Sequence, residues 1–272
     1  MDFAAPGSLP AIDSFNPTPR GRCIAVVIPA YRAAATIAAV IDGIGPEIDR
    51  IYVVDDGCPE RTGDRVERDC TDPRVTVVRN HRNLGVGGAM KHGYRRALGD
   101  GADILVKLDA DGQMAPAHIP HLIAPLLAGK AHYAKGNRFA PAADMPDGSS
   151  RSALKSMPAA RRAANRLLGA LHRPVTGYWR IGDPANGYTA IDAHALRRIR
   201  LDRLADCYFF ETDMLFALSG FGAAIADVPL PARYGAPSGN LRLHRIAPRF
   251  AKLIVQRYLS RQWRALTAFR RA

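Results

Sequence analysis

The sequence predicts an α/β protein built on a mostly parallel β-sheet with helices on both faces. Four short runs alternate with longer helical patterns between residues 24 and 127, and each run is apolar along its whole length. Strands buried on both faces give such continuous apolar runs, and helical crossovers between them produce a parallel sheet. A chain of 272 residues is long enough for one large domain of this kind.

The elements of this prediction follow in chain order. Strands are expected at 24–28, 51–54, 75–78 and 104–108, and helices at 33–44, 59–70, 85–98 and 116–127. Pro59 in a first turn and Gly43 near a helix end are typical helix boundaries. After residue 140 the alternation stops. A loop is predicted at 140–150, helices at 151–171 and 211–218, a turn and strand at 183–190, and a basic amphipathic stretch at 247–269.

Three segments are expected along the chain: a flexible arm at 1–20, one folded domain at 21–243, and a basic amphipathic region at 244–272. The first residues lack the basic start and apolar run of a signal peptide, and no apolar run approaches about 18 residues, so no transmembrane helix is expected. The four cysteines have no zinc spacing, which indicates reduced thiols in a cytoplasmic protein.

The positive charge of the chain is concentrated in its second part. The net charge is +13, yet residues 1–150 hold 17 Lys and Arg against 18 Asp and Glu, whereas residues 151–272 hold 21 against 7. From Arg242 onward there are nine basic residues and no acidic one. Such asymmetry predicts an anionic partner, either a nucleic acid or a membrane surface.

Asp109 and Asp111 follow the fourth predicted strand, one residue apart, where the chain turns. Two carboxylates at such a turn can converge on one ion, and Mg²⁺ or Mn²⁺ favours carboxylate oxygens together with substrate phosphates. The alternative is an ordinary solvated turn, because Asp and Gly both favour turns. The spacing alone leaves both interpretations open.

Two further polar clusters follow predicted strands. Asp55 and Asp56 after the second strand can accept hydrogen bonds from a nucleobase or ribose, and the alternative is an Asp-Gly turn closed by Gly57. The glycine-rich segment 83–88 leads into a helix, where glycines permit close approach of a phosphate. Close packing of that helix on the sheet explains the same glycines.

The order of these motifs carries more information than any one of them. Segments 28–31, 53–57, 83–85 and 108–111, followed by 136–138, 183–188, 210–213 and 233–242, resemble the inverting family-two glycosyltransferases of the GT-A fold. The set is similar to the dolichol-phosphate mannose synthase branch, the polyprenyl-phosphate glycosyltransferases, over roughly residues 22–245. The resemblance implies that the domain at 21–243 is a GT-A catalytic domain.

The resemblance also implies roles for individual residues. The nucleotide pocket would contain Pro29, Ala30, Tyr31, Asp55, Asp56, Lys91 and Asp109. Asp109, Asp111 and Gln113 would surround Mg²⁺ or Mn²⁺ and the donor diphosphate. The catalytic residues would be Asp111, Arg138, Glu211 and Asp213, and the acceptor phosphate would meet Arg138, Arg151, Arg233, Ser238 and Arg242.

Two departures from the family pattern leave the base and sugar of the donor open. Arg32 and Ala33 stand where a Glu often follows the first motif, and Cys58 stands in the second motif where a Ser is usual. The donor is therefore expected to be a GDP- or UDP-linked sugar without further detail. The number of subunits also stays open, with a homo-oligomer as one option.

The expected activity is metal-dependent transfer of the sugar to a polyprenyl phosphate at the cytoplasmic face of the cell membrane. A lipid phosphate is already anionic and needs positioning by arginine, whereas a hydroxyl acceptor needs a general base, for which Glu211 or Asp213 is the candidate. The basic C-terminal region predicts peripheral attachment to an anionic membrane, although a core-packing helix with a solvated basic face is the alternative.

Two other functions remain in view. One is transfer to a saccharide hydroxyl during assembly of a cell-surface polysaccharide. The other is a non-enzymatic nucleic-acid-binding protein, which the positive charge permits but which the chain does not support with a helix-turn-helix or an aromatic RNA platform. No nucleic-acid partner is therefore expected.

Overall fold

The structure is a computed structural model that describes residues 21–140, 169–230, 252–260 and 262. Its seven strands are β1 (Ile24–Ala30), β2 (Arg50–Asp55), β3 (Val75–Arg79), β4 (Ile104–Lys107), β5 (Tyr133–Asn137), β6 (Thr189–Asp192) and β7 (Ile225–Pro229). Its helices are α1 (Ile37–Asp42), α2 (Thr62–Asp69), α3 (Val86–Gly99), α4 (Ile119–Leu127), α5 (169–176), α6 (Ala193–Arg197), α7 (Phe210–Ser219) and α8 (252–260). Short 3₁₀ turns lie at Pro116–His118 and Leu201–Arg203.

All seven strands form one sheet in the order β3-β2-β1-β4-β6-β5-β7. Strand β6 is antiparallel to β4 and β5, and the other neighbouring pairs are parallel. The carboxyl ends of the six parallel strands therefore share one edge with the start of β6, and we call this the site edge. Ligands of open α/β sheets bind at such an edge.

The core lies on both faces of the sheet, as the continuous apolar runs predict. Ile28 and Val53 pack with residues of α1, α2 and α4 on one face, while Val27 and Val54 pack with residues of α3, α6 and α7 on the other. Gly93 lets α3 lie directly on the sheet, because a Cβ there would stand 2.3 Å from a methyl group of Val27.

The four strands predicted up to residue 108 are confirmed with small shifts in their ends. Strand β1 runs through Pro29 to Ala30 instead of ending at residue 28. In a strand, the backbone N–H and C=O groups of alternate residues face the same neighbouring strand, so the backbone of Pro29 faces the same strand as that of Val27, which is β4. The pairing of β1 with β4 ends at Val27. The missing N–H of Pro29 therefore costs no bond to β4.

Other boundaries differ more. Helix α1 begins only at Ile37, and α2 begins at Thr62 after an Arg61 with a φ of 51°. The apolar pattern of the sequence does not predict strands β5 and β7. Strand β5 reads Tyr-Ala-Lys-Gly-Asn and lacks an apolar run. The predicted arm at 1–20 lies outside the described residues, and so do residues 151–168 of the helix predicted at 151–171. Of the region at 244–272, only residues 252–260 and 262 are described. Within the described part, no helix has the length and apolar character needed to cross a membrane.

Candidate active site

The two acids after β2 organise the loops at the site edge. Asp55 accepts hydrogen bonds from the backbone N–H groups of Cys58 at 2.8 Å and Gly63 at 2.6 Å. Asp56 accepts bonds from the Asn80 side chain at 2.7 Å and from the N–H groups of Leu84 and Gly85. Both carboxylates are buried and fix the starts of α2 and α3. Their role toward a nucleotide stays a prediction.

The turn that follows Asp55 and Asp56 requires glycine at position 57. Gly57 has a φ of 62°, and a Cβ there would stand 2.5 Å from the backbone carbonyl carbon of Arg82. Next to it, the Sγ of Cys58 accepts the Arg32 N–H at 3.0 Å and contacts the Thr62 hydroxyl at 3.1 Å. Burial alone would raise the pKa of Cys58, but these hydrogen bonds outweigh it and lower the pKa. Cys58 thus joins the loops after β1 and β2.

The end of β1 lies beside this loop. Ala30 is fully buried and accepts the Asp56 N–H at 3.0 Å through its carbonyl, while the Tyr31 side chain is 43% exposed. Pro29 is partly buried within β1. The structure therefore brings these three predicted nucleotide-pocket residues next to the Asp55–Asp56 motif at the site edge.

The glycine-rich turn before α3 packs against protein. The N–H groups of Gly87 and Gly88 donate to the carbonyl of Asp206, and a Cβ on Gly85 would stand 2.5 Å from that oxygen. Lys91 donates to the Leu204 carbonyl at 2.5 Å and to the Asp206 carboxylate at 2.7 Å. Close packing accounts for these glycines, and the nucleotide role of Lys91 stays a prediction.

A buried lysine at the end of β4 joins the acids of the site. The Lys107 ammonium lies 2.7 Å from Asp109 Oδ1, 3.0 Å from Glu211 Oε1 and 3.3 Å from the Gly187 carbonyl. Burial alone would lower the pKa of Lys107, but the charges of Asp109 and Glu211 outweigh it and raise the pKa. Lys107 therefore stays charged and ties β4 to α7. Sequence reasoning gave it no role, and a lysine inside an apolar run was the available signal.

Asp109 and Asp111 suit a hard cation. Asp109 is partly exposed, and Asp111 is exposed and accepts the Gln113 N–H at 3.0 Å through Oδ1. Partial desolvation and then the charge of Asp109 raise the pKa of Asp111. No hydrogen bond from a described residue reaches Oδ2 of either acid. Among the described residues no three His, Cys, Asp or Glu side chains gather to hold a metal. In proteins, Mg²⁺ commonly binds one or two carboxylates together with substrate phosphates.

Gly187 sets the position of Asp109. A Cβ at this residue would stand 2.4 Å from the Lys107 ammonium and 2.9 Å from Asp109 Oδ2. The turn before β6 thus lies against the carboxylate of the predicted metal site, and only glycine leaves room for it. The neighbouring Asn186 donates to the Gly136 carbonyl at 2.7 Å and fixes the same turn on β5.

Arg138 follows β5 and is bound to a fully buried acid. Its guanidinium donates to both carboxylate oxygens of Asp183, at 2.6 Å and 3.0 Å. Lys135, also fully buried, donates to the Asn186 carbonyl at 2.5 Å. Burial lowers the pKa of Lys135 to about 8. These contacts anchor the turn at 183–187 to β5, and the phosphate-binding role of Arg138 stays a prediction.

Glu211 and Asp213 lie in different surroundings although both belong to α7. Glu211 is held by Lys107 near Asp109. Asp213 is fully buried and accepts bonds from the Ala205 N–H at 2.8 Å and from Arg257 of α8 at 2.6 Å and 2.8 Å. Lys107, Asp109 and Gly187 form a group of contacts that we call the Asp109 cluster, and the structure brings Glu211, but not Asp213, to it. Arg151, Arg233, Ser238 and Arg242 lie outside the described residues.

The sheet order, with loops from β1, β2 and β4 meeting at one edge, is that of an α/β protein, and its match to a solved structure makes it a glycosyltransferase of the GT-A fold. The comparisons with known proteins give the family. Residues 25–196 match the model of glycosyl transferase family 2, and the chain belongs to this family.

Its relatives include enzymes with lipid-linked acceptors. An undecaprenyl-phosphate mannosyltransferase of Micrococcus luteus is 32% identical over 213 residues, which cover 76% of this chain and 82% of the relative. A polyprenol monophosphomannose synthase of Mycolicibacterium smegmatis is 28% identical over 211 residues, covering 75% of each protein. The expected resemblance is thereby confirmed.

A solved structure shares the fold. Glucosyl-3-phosphoglycerate synthase of Mycobacterium tuberculosis, in complex with Mn²⁺, UDP and glucosyl-3-phosphoglycerate, superimposes with a TM-score of 0.63 at 26% identity. The match covers 87% of this chain and 80% of that protein. The same enzyme has also been crystallised with Mg²⁺ and UDP.

Proposed function

We propose that this protein transfers a sugar from a UDP- or GDP-linked donor to a polyprenyl phosphate, in a reaction that depends on Mg²⁺ or Mn²⁺. The lipid acceptors named for the Micrococcus and Mycolicibacterium relatives support the acceptor class. The metal and UDP bound to the synthase of similar fold support the donor class and the cofactor. We propose that Asp109 and Asp111, with Gln113 beside them, hold the ion.

Both candidate bases are held in ion pairs, and this observation supports a phosphate acceptor over a hydroxyl acceptor. Glu211 is paired with the buried ammonium of Lys107, and Asp213 is buried between Arg257 and the Ala205 N–H. A carboxylate that took a proton from an acceptor hydroxyl would lose its ion pair with Lys107 or Arg257, which opposes that role. A phosphate acceptor is already anionic and needs no base, so this arrangement favours it over a saccharide hydroxyl.

The chain's own residues would bind and orient the two substrates. The metal, when bound, would supply positive charge to the leaving diphosphate. Lys107 and the turn at 183–187 hold the Asp109 carboxylate in place. We assign the acceptor phosphate to the arginine-rich set Arg138, Arg151, Arg233 and Arg242 with Ser238, because guanidinium groups bind phosphate through paired hydrogen bonds.

We further propose that the enzyme works at the cytoplasmic face of the membrane, attached peripherally. A polyprenyl phosphate is embedded in the bilayer, and the positive charge of residues 151–272 would draw the protein toward anionic lipids. This places the reaction at the lipid headgroups, where the acceptor phosphate lies.

A comparison of matched acceptors tests the proposal. The purified full chain is incubated with Mn²⁺, a UDP- or GDP-linked labelled sugar, and either a short-chain polyprenyl phosphate, the corresponding polyprenol, or a saccharide. Label should appear only on the phosphate. Transfer to the saccharide would overturn the acceptor assignment, and a protein that binds duplex DNA at physiological salt but labels no acceptor would favour the nucleic-acid alternative.

A further inference from the structure

Exposed apolar side chains are concentrated on one part of the molecule. Eight large apolar residues are exposed among those that the structure describes, and six of them belong to α5, the turn after it, the loop before α7, and α8. These six are Leu171, Trp179, Tyr208, Val255, Tyr258 and Leu259, and we call them the apolar face. Trp179 at 66%, Leu259 at 60% and Tyr208 at 58% are the most exposed.

The segments that carry the apolar face pack on one another. Val175 of α5, Phe209 before α7, Phe216 of α7 and Ile254 of α8 form one buried cluster. The Arg257–Asp213 ion pair adds a polar contact between α8 and α7. Trp179 stands on a fixed turn, because its neighbour Tyr178 donates its hydroxyl to the Ala223 carbonyl at 2.9 Å. The exposed side chains therefore project from a joined scaffold.

The charges beside the apolar face are positive. Residues 169–182 and 252–260 contain no acidic residue, while Arg180 and Lys252 are exposed. In the loop before α7 the acid is Asp206, and it is paired with Lys91 at 2.7 Å. Tryptophan, tyrosine and leucine beside basic residues match the boundary between the headgroups and acyl chains of an anionic bilayer.

We propose that the apolar face docks the protein on an anionic lipid bilayer through Trp179, Tyr208 and the outer side of α8. The inference rests on the proposed function, because the bilayer holds the polyprenyl phosphate. Tyr208 lies three residues before Glu211, in the loop that leads into α7, and Glu211 of α7 joins the Asp109 cluster. Docking here brings the lipid headgroups close to the reacting groups.

Tryptophan fluorescence tests the docking directly, because the chain has two tryptophans. In the full chain carrying Trp263→Phe, the emission of Trp179 should shift to the blue when phosphatidylglycerol vesicles are added, and much less with phosphatidylcholine vesicles. A Trp179 emission that does not change with either vesicle overturns the proposal. The shift reports entry of this side chain into an apolar medium. Binding through the basic C-terminal region without insertion of the apolar face does not produce it.

Matched leucine variants test the location of the surface by vesicle flotation. Leu259→Ser with Trp179→Ser should reduce the fraction of protein that floats with phosphatidylglycerol vesicles about tenfold or more. Leu127→Ser, which replaces an exposed leucine of α4 away from the apolar face, should leave it unchanged. Equal flotation of the two variants would overturn the proposal, and so would binding that requires an added membrane protein.

A soluble acceptor separates this inference from the proposed function. Transfer to a short-chain, water-soluble polyprenyl phosphate should be the same in the double variant and the wild type, while transfer to vesicle-borne acceptor should fall in the variant alone. Vesicle binding without transfer to either acceptor would refute the function and leave the docking surface intact. Transfer to the soluble acceptor without vesicle binding would refute the docking surface and leave the proposed function intact.

Discussion

Lys107 has an unusual position for a lysine, because it ends a fully buried strand and touches two acids. Its ammonium balances Asp109 and Glu211 inside the protein, where an unpaired charge costs several kcal/mol. The same contact keeps the Asp109 carboxylate oriented before any ligand binds. Lys107 is therefore a positioning residue for the predicted metal site.

Replacing this lysine should be costly. Lys107→Met leaves Asp109 and Glu211 without their shared cation, so the free energy of unfolding should fall by about 3 kcal/mol or more in urea titrations. The control Lys130→Met removes an exposed lysine and should have little effect. Adding Glu211→Gln to Lys107→Met removes one of the stranded charges and should restore part of the loss. A loss below about 1 kcal/mol for Lys107→Met would contradict the buried pairing.

At this scale the sequence predicts acids better than it predicts their partners. Asp109 and Asp111 stand out because they follow an apolar run one residue apart. The contacts of Lys107 with Gly187 and Glu211 join residues far apart in the chain, and they depend on β6 pairing antiparallel with β4. No local pattern contains that information.

Helix α7 separates two acids that the sequence treats alike. Glu211 and Asp213 are two positions apart, and in a helix such positions face different directions. One therefore joins the Asp109 cluster and the other holds α8. The choice between them as a base cannot be made from the sequence, because it depends on which neighbours pack against each face.

Breaking the contact between α7 and α8 should loosen α8. Arg257→Gln leaves the buried Asp213 with the Ala205 N–H as its remaining described partner, so the free energy of unfolding should fall by about 1–3 kcal/mol. Hydrogen exchange of the amides in residues 252–260 should become faster at the same time. Lys252→Gln, an exposed change on the same helix, is the control. Unchanged exchange in Arg257→Gln would show that this ion pair does not hold α8.

The turn before β6 gives a second prediction at the scale of elements. Gly187→Ala places a methyl group against Lys107 and Asp109, so Asp109 must move. We expect sugar transfer to fall about tenfold or more, since small displacements of positioned groups are costly in catalysis. Gly99→Ala adds a methyl group with nothing within 4 Å and should keep full activity. Equal activity in the two variants would contradict the positioning role of the turn.

The elements themselves were predictable where their burial is uniform. Strands β1 to β4 are either covered on both faces or paired with a strand that is covered on both faces. Their apolar runs therefore predict them. Strand β5 carries the buried Lys135 and ends in a polar Asn137, and both are satisfied by contacts with distant residues. The polar sequence of β5 therefore does not predict a strand, although the strand is fully buried.

For the whole molecule, the buried His172 predicts how stability depends on pH. Burial, with smaller contributions from the charges of Lys135 and Arg173, lowers the pKa of His172 from 6.5 to about 3. The unfolded chain then binds a proton at a pH where the folded protein does not. The contribution of His172 to stability is complete above pH 6.5 and is lost as the pH falls from 6.5 toward 3, at up to about 1.4 kcal/mol per pH unit.

Urea titrations of His172→Gln between pH 7.5 and 4.5 test this dependence. The variant lacks the titrating ring, so its stability should fall less steeply with acid than that of the wild type. His121→Gln removes an exposed histidine of α4 and should follow the wild-type slope. Parallel curves for His172→Gln and the wild type would mean that His172 titrates normally in the folded protein.

The central claim is that Asp109 and Asp111 hold the metal that supports sugar transfer, and one measurement tests it most directly. It is the initial rate of labelled sugar transfer to a short-chain polyprenyl phosphate, with Mn²⁺ and with EDTA, for the wild type, Asp111→Ala and the exposed control Asp42→Ala. We predict that EDTA stops the wild type, that Asp42→Ala is fully active, and that Asp111→Ala is slower by about 100-fold or more. Full activity of Asp111→Ala, or a wild-type rate that EDTA does not change, would contradict the claim.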